Sequence, residues 1–454
     1  MGKTLIKNAL LLSMDNERRV WKNGSLLIEG DKITAVGEVG QENTHGPIEV
    51  IDARGKIVMP GLINSHVHTS QQLGRGIGDD VPLLTWLHER TFPYESNLTE
   101  EDSYVSTLLT CIEQIRSGVT TFAEPGGQHV QGMGRGVSEI GIRGILAKSA
   151  MDCGEGLPEV WRRTKDEELH TQVENYESWN GKADGRIRVW FGLRTIFNNS
   201  DELIVETKKL ADRYKAGVHM HVAEIEDEVK FAKETRGATT VEHLRNLGVL
   251  DSNFLAVHTV WLSDRELDIF ADYDVKVSHN PAAAMRVLGF AKIPEMIDRG
   301  ITVSIGTDGA PSNNRMTLID EMWLTSLIHK GRTGDPSVMP AEKIIEMVTR
   351  DGAEALGWAD EIGSFEKGKK ADLIIINPDS AAMLPLNDPV ANLVTSMHSS
   401  NIESVMCNGE WVMQDKKILT VDEDEILEEA KRRAKSIMER AGIKIPDRFP
   451  TTML

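Results

Sequence analysis

Cysteine is nearly absent from this chain. Cys111, Cys153 and Cys407 are the only three in 454 residues, scattered and odd in number. That excludes a disulfide framework and a cysteine-rich zinc knuckle, and it points to a reducing, cytoplasmic setting. Long apolar runs are missing too. None reaches the roughly 18 residues of a membrane span, and Met1-Gly2-Lys3-Thr4-Leu5 does not begin the apolar stretch of a signal peptide. Positive charge is in deficit: 51 basic against 70 acidic residues leave a net charge of −19 and a pI near 5.2. Such a surface repels nucleic acid and anionic lipid, so no nucleic acid and no membrane is expected as a partner. A small-molecule substrate is the expected partner, and a homo-oligomer stays open. No linker, low-complexity block or short repeat interrupts the chain.

What is present is alternation. Up to residue 59, short apolar runs are separated by Asn23-Gly24, Gly30-Asp31 and Arg54-Gly55, the pattern of a small antiparallel β unit. From Gly61 onward strand and helix patterns take turns. Candidate strands fall at 62–66, 120–123, 143–147, 187–192, 218–223, 254–258, 275–279 and 302–306. Helix starts lie between them, among them the capping box Ser263-Asp264-Arg265-Glu266 and the starts at Thr99 and Ser200. Eight such units predict an α/β fold, a parallel (β/α)8 TIM barrel over residues 60–362. Late strands at 373–376, 402–407 and 410–413, two of them joined by Asn408-Gly409, resemble the N-terminal ones. Residues 1–59 and 363–454 are therefore expected to pair into a small β-sandwich beside the barrel, with a surface helix over 424–440.

The run Pro60-Gly61-Leu62-Ile63-Asn64-Ser65-His66-Val67-His68 ends in two histidines one residue apart. In a strand they share a face, and two imidazoles side by side are half of a tetrahedral metal site suited to zinc, iron or nickel. Barrel chemistry sits at the C-terminal strand ends. Those ends also present His221 and Glu224 on the fifth strand, His258 on the sixth, His279 on the seventh and Asp308 on the eighth. Each alone reads as an ordinary polar residue at a strand-to-loop transition; their coincidence on one rim makes a site. His219 shares a face with His221 but lies one layer deeper. Glu224, three residues past His221, faces away unless the backbone has already left the strand.

The ordered pieces His66-Val67-His68, His221-Val222-Ala223-Glu224, Ala256-Val257-His258, Ser278-His279-Asn280-Pro281-Ala282, Gly306-Thr307-Asp308-Gly309-Ala310 and Gly368-Lys369-Lys370-Ala371-Asp372-Leu373 resemble the amidohydrolase superfamily. Within it the chain is similar to the branch of the 5-methylthioadenosine/S-adenosylhomocysteine deaminases and atrazine chlorohydrolases. The resemblance implies one divalent metal ion, Zn2+ with Fe2+ as the alternative, held by His66, His68, His221 and Asp308. Two-metal amidohydrolases generally bridge their ions with a carboxylated lysine at the end of the fourth strand. Here Trp190-Phe191-Gly192-Leu193-Arg194-Thr195 offers none, which predicts a single metal. The expected chemistry is attack by hydroxide: Asp308 takes the water proton, His258 steadies the anionic intermediate and Glu224 passes a proton to the ring nitrogen.

For substrate binding, the stretch from Arg75 to Glu95 resembles the family's substrate loop. Trp86 matches the position that packs on the ligand, and Glu95 the position that binds ribose hydroxyls. Lys148 stands where the branch tends to have arginine, and Arg194 where it has histidine; both, with His279, are candidate substrate contacts. The expected activity is hydrolytic deamination of an adenosine-type substrate, namely 5′-methylthioadenosine, S-adenosylhomocysteine or adenosine, with release of ammonia. The two departures keep s-triazines, pterins and guanine as alternatives, for aminohydrolase or chlorohydrolase chemistry. A catalytically dead scaffold would have lost ligands, whereas all six metal-site positions are filled.

Overall fold

Every residue of Val119–Ala123, Val218–Val222 and Phe254–His258 is buried. Strands apolar on both faces are covered by helices on one side and packed on one another on the other, as in parallel sheets. The computed structural model describes residues 2–39, 47–81, 83–445 and 448–449. It arranges these strands in two parallel sheets. One comprises Leu62–Asn64, Val119–Ala123, Arg143–Leu146 and Ile187–Val189; the other comprises Ser149–Ala150, Phe191–Leu193, Val218–Val222, Phe254–His258, Lys276–His279 and Val303–Ile305. The third and fourth strands are interrupted at 147–148 and at Trp190, and each passes from one sheet into the other. The Ser65 N–H donates to the Ile305 carbonyl at 3.0 Å, tying the first strand to the last. All eight expected strands are present in parallel order, in agreement with a (β/α)8 barrel.

The helices between them start where side-chain oxygens can take orphan N–H groups. Thr99 with Asp102 and Ser263 with Glu266 form complete capping boxes, and Ser200 caps Asp201–Tyr214. Among the described residues no helix is long and apolar enough to cross a membrane.

The two ends of the chain meet. Leu373–Ile376 runs antiparallel to Ile57–Pro60, Leu373 opposite Pro60 and Ile376 opposite Ile57, within one nine-stranded sheet that holds both N-terminal and C-terminal strands. Asn408 and Gly409 both have positive φ, 54° and 80°, and close the hairpin between Ile402–Cys407 and Glu410–Gln414 as a two-residue turn. Ile57–Pro60 passes through Gly61 straight into the first barrel strand, where a Cβ on Gly61 would lie 2.2 Å from the Thr120 hydroxyl. A buried ion pair fastens the sheet to the barrel. Arg143 on the third strand donates to Asp372 at 2.6 and 3.0 Å and to Asn408 at 2.8 Å. The C-terminal helix Glu423–Ala441 lays Ala430 and Ile437 on Leu73, Ile77, Tyr94 and Leu98, so it covers the chain that follows the first strand.

Candidate active site

His66 and His68 follow directly on Leu62–Asn64 and are braced from both sides. The Thr307 and Asp308 N–H groups donate to the His66 carbonyl at 3.0 Å, and the Val67 N–H donates to Ala123 at 2.9 Å. Gly306 has to be glycine here, because a Cβ would meet Asn280 Oδ1 at 2.3 Å and His66 Cβ at 2.8 Å. The two imidazoles stand 5.0 Å apart, and the His221 ring lies 5.1 Å from His66 and 5.5 Å from His68. Asp308 Oδ1 is 3.5 Å from Nε2 of both His66 and His68.

Three strand ends leave the sheet through left-handed residues: Ala223 (φ 50°), His258 (φ 68°) and Asp308 (φ 61°). Non-glycine residues adopt that region at a cost, and such residues gather where geometry is forced for function. The strand Val218–Val222 ends just before Ala223, whose turn brings Glu224 round to the cavity, 3.6 Å from His258 Nε2. Asn280 Nδ2 lies 3.2 Å from His258 Nδ1; with the amide donating there, the remaining proton sits on Nε2 and faces Glu224.

Burial sets the charge of the site. It drives His66 down to about 4 and His68, His219 and His221 well below the ordinary histidine value, so these rings are neutral near pH 7. Burial pushes Asp308 upward, but His66 and the imidazoles around it outweigh that and hold it well below the usual carboxylate range. At Glu224 the only opposing influence is the charge of Arg194, and it is too weak. Burial, reinforced by the charge of Asp308, lifts it to about 7.

A cation fits this donor set. His221 Nδ1 lies 3.0 Å from the Arg194 carbonyl, which can only accept, so Nδ1 carries the proton and Nε2 presents a lone pair. That Nε2 stands 3.4 Å from His68 Nε2, and His66 Nε2 is buried without a hydrogen-bond partner. Ligand atoms of His66, His68 and Asp308, and those of His66, His221 and His258, each lie within 4.8 Å of one another. His66 Nδ1 is 3.0 Å from His219 Nε2, so the deeper histidine holds the ring of the outer one.

A cavity of about 590 Å³ opens over this cluster, lined by His68, His221, Glu224, His258 and Asp308 together with Trp86 and Arg194. The other expected substrate contacts are not at its wall. Lys148 sits in the break of the third strand and forms a buried ion pair with Glu168 on the helix Lys165–Trp179, away from the cavity. His279 Nε2 is 3.1 Å from His329 Nε2 on the helix Leu318–Thr333. Glu95 accepts from Gln71 Nε2 at 2.7 Å and reaches the cavity only through it, for Gln71 is in the wall. Gln71, Phe197 and Phe231 line the cavity without having been singled out in the sequence. Gln71, three residues past His68, was the one within reach of a positional guess.

Parallel strands that bring neutral imidazoles and an ionised aspartate to one rim define a class of metal-dependent barrel hydrolases. The chain belongs to the amidohydrolase family, whose profile matches residues 57–412. It is 37% identical over 438 residues to a 5′-deoxyadenosine deaminase of Methanobrevibacter smithii, covering 96% of this chain and 98% of that one. It is 36% identical over 437 residues to a 5-methylthioadenosine/S-adenosylhomocysteine deaminase of Thermoanaerobacter pseudethanolicus, covering 96% and 99%. Its fold is similar to that of an adenosine deaminase from Xanthomonas campestris with bound zinc, with a TM-score of 0.91 at 24% identity over 96% of this chain and 99% of that one. An atrazine chlorohydrolase from Arthrobacter aurescens complexed with zinc has a TM-score of 0.87 at 25% identity, over 95% and 100%.

Proposed function

We propose that this chain is a metal-dependent hydrolytic deaminase of an adenosine-type nucleoside: 5′-methylthioadenosine, S-adenosylhomocysteine, adenosine or, by likeness to its relatives, 5′-deoxyadenosine. The observation that carries the reading is Glu224, a carboxyl poised to hold a proton near pH 7, turned into the same cavity as Asp308 and His258. Hydrolytic deamination needs such a proton carrier beside the point of attack.

His66, His68, His221 and Asp308 would hold one divalent ion, zinc or ferrous iron. When bound, that ion lowers the pKa of water and so supplies a nucleophile at neutral pH. Asp308 takes the proton of the attacking water. Glu224 gives its proton to the ring nitrogen next to the amine-bearing carbon, which makes that carbon electrophilic. The His258 Nε2–H donates to the oxygen as it adds. The C–N bond then breaks as the amine takes the proton held by Asp308 and leaves as ammonia, while the added hydroxyl passes its proton to Glu224 and becomes the ring carbonyl. Trp86 and Arg194 face the heterocycle, and Gln71, anchored by Glu95, faces the ribose. We read residues 60–362 as the barrel, and 1–59 with 363–454 as the β-sandwich; support for the latter is the separate apolar core of Ile6, Leu11, Leu26, Leu373 and Met406.

The test is turnover by metal-loaded enzyme, with ammonia released in step with loss of adenine absorbance and metal analysis of the same sample. Deamination of at least one of these nucleosides with close to one metal per chain is expected. Turnover of a pterin, guanine or a triazine but none of the nucleosides would remove the substrate claim and leave the aminohydrolase claim. Two metals per chain, both required, would remove the single-ion claim.

A further inference from the structure

Among the described residues, four α-helices begin with a capping box, in which the carboxylate at the third helical position reaches back to the N–H of the cap residue: Asp102 to Thr99, Glu167 to Thr164, Glu242 to Thr239 and Glu266 to Ser263. The helix Glu226–Arg236 departs from them. Its third position is Glu228, but its cap is Ile225, which has no side-chain oxygen to offer. The Glu228 carboxylate passes over Ile225 to the strand end, where Oε1 accepts the Ala223 N–H at 2.8 Å and Oε2 accepts the Glu224 N–H at 2.9 Å. Glu228 is 1% exposed and has no ion-pair partner among the described residues. Burying a carboxylate without a cation is unfavourable, so a plain helix cap would be better served by a serine or threonine. What the two bonds hold is the left-handed Ala223, the residue that swings Glu224 off the strand and into the cavity.

We propose that Glu228 is a positioning residue for the deamination step, fixing the elbow at Ala223 and thereby the direction of Glu224. This rests on the reading of Glu224 as the proton carrier. A carboxylate is what two adjacent N–H groups call for. Glutamine offers one oxygen and sets its NH2 against the other N–H, and aspartate falls one methylene short. Glu228 does not touch the substrate; its effect passes through Glu224.

The test uses the full chain, metal-loaded, with Glu228→Gln and Glu228→Asp. We expect kcat to fall about 10- to 100-fold, the range for residues that orient an active-site group. KM should change by less than about twofold, since the wall that meets the substrate is untouched. Metal content should be unchanged, and amide exchange at 223 and 224 should quicken. Glu234→Gln, on the exposed face of the same helix, should match wild type. In a Glu224→Gln background, Glu228→Gln should add no further loss to the residual rate, because the group it aims has already lost its proton. A merely structural role predicts a lower Tm with kcat per folded molecule intact. The proposal is overturned if Glu228→Gln and Glu228→Asp both keep wild-type kcat, or if the losses at 224 and 228 multiply. Should Glu224→Gln itself turn over normally, the reading of Glu224 falls first; Glu224→Gln inactive with Glu228→Gln active removes this proposal alone.

Discussion

The proposed role of Glu224 requires it to hold a proton at neutral pH and yield it during turnover, and burial beside Asp308 lifts its pKa to about 7. Glutamine keeps the shape and cannot carry the proton. Glu224→Gln should therefore lower kcat by about 100-fold or more while metal stays bound. His221→Ala, by contrast, should lose metal together with activity. Steady-state rates and metal analysis on the two variants separate the roles, and a Glu224→Gln enzyme at wild-type rate would cancel the assignment. The meeting of His66, His68, His221, His258 and Asp308 was legible in the sequence, since each falls at a strand end on one rim. Directions were not. Glu224 points inward because Ala223 takes a left-handed conformation, which nothing about an alanine announces. Lys148 points away because a buried glutamate twenty residues on claims its ammonium.

Strands and helices were readable where their own local rules sufficed. Short runs of four to six residues between helical patterns marked the barrel strands, and Thr99 followed by Asp102 marked a helix start. The interruptions of the third and fourth strands were invisible, because Leu146-Ala147-Lys148-Ser149 and Val189-Trp190-Phe191 contain no glycine or proline. The helix Glu100–Arg116 carries a further consequence through Asp102. Burial pushes the Asp102 carboxyl up, but bonds from Thr99 and the charges of Arg433 and Arg440 outweigh it, and the pKa is lowered below 3.8. A depressed folded pKa stabilises above the unfolded value and ceases to do so as pH falls through the folded one. The contact between Glu423–Ala441 and this helix should hold at neutral pH and loosen in acid, starting below about pH 4. Amide exchange over 423–441 reports it, and Asp102→Asn should show the loosened state already at pH 7. Equal protection at pH 7 and pH 3 would contradict it.

Across the whole molecule, Arg143 ties the barrel to the nine-stranded sheet, and among the described residues Asp372 is its one ion-pair partner. Asp372→Ala would leave a guanidinium buried and unpaired, at a cost of about 3–5 kcal/mol, read as a shift in denaturant midpoint at unchanged slope. A loss under about 1 kcal/mol, the worth of an exposed pair, would show that the seam is held elsewhere. That the two ends would meet was legible in the likeness of their strands; this joint was not, since 229 positions separate its partners. The same meeting of the ends bears on how the protein is made. Ile57–Pro60, which leads into the strand that His66 and His68 follow, pairs on one side with Leu10 and Leu11 and on the other with Leu373–Ile376, about 300 residues later. At roughly 5–20 residues per second a ribosome needs about 15–60 s to cover that distance. A nascent chain therefore carries His66 and His68 out of the exit tunnel long before Leu373–Ile376 exists. Until then Ile57 and Val58 have only Leu10 and Leu11 beside them, so the sheet beneath the rim histidines closes early on one side and, on the other, only after residue 376 has been made.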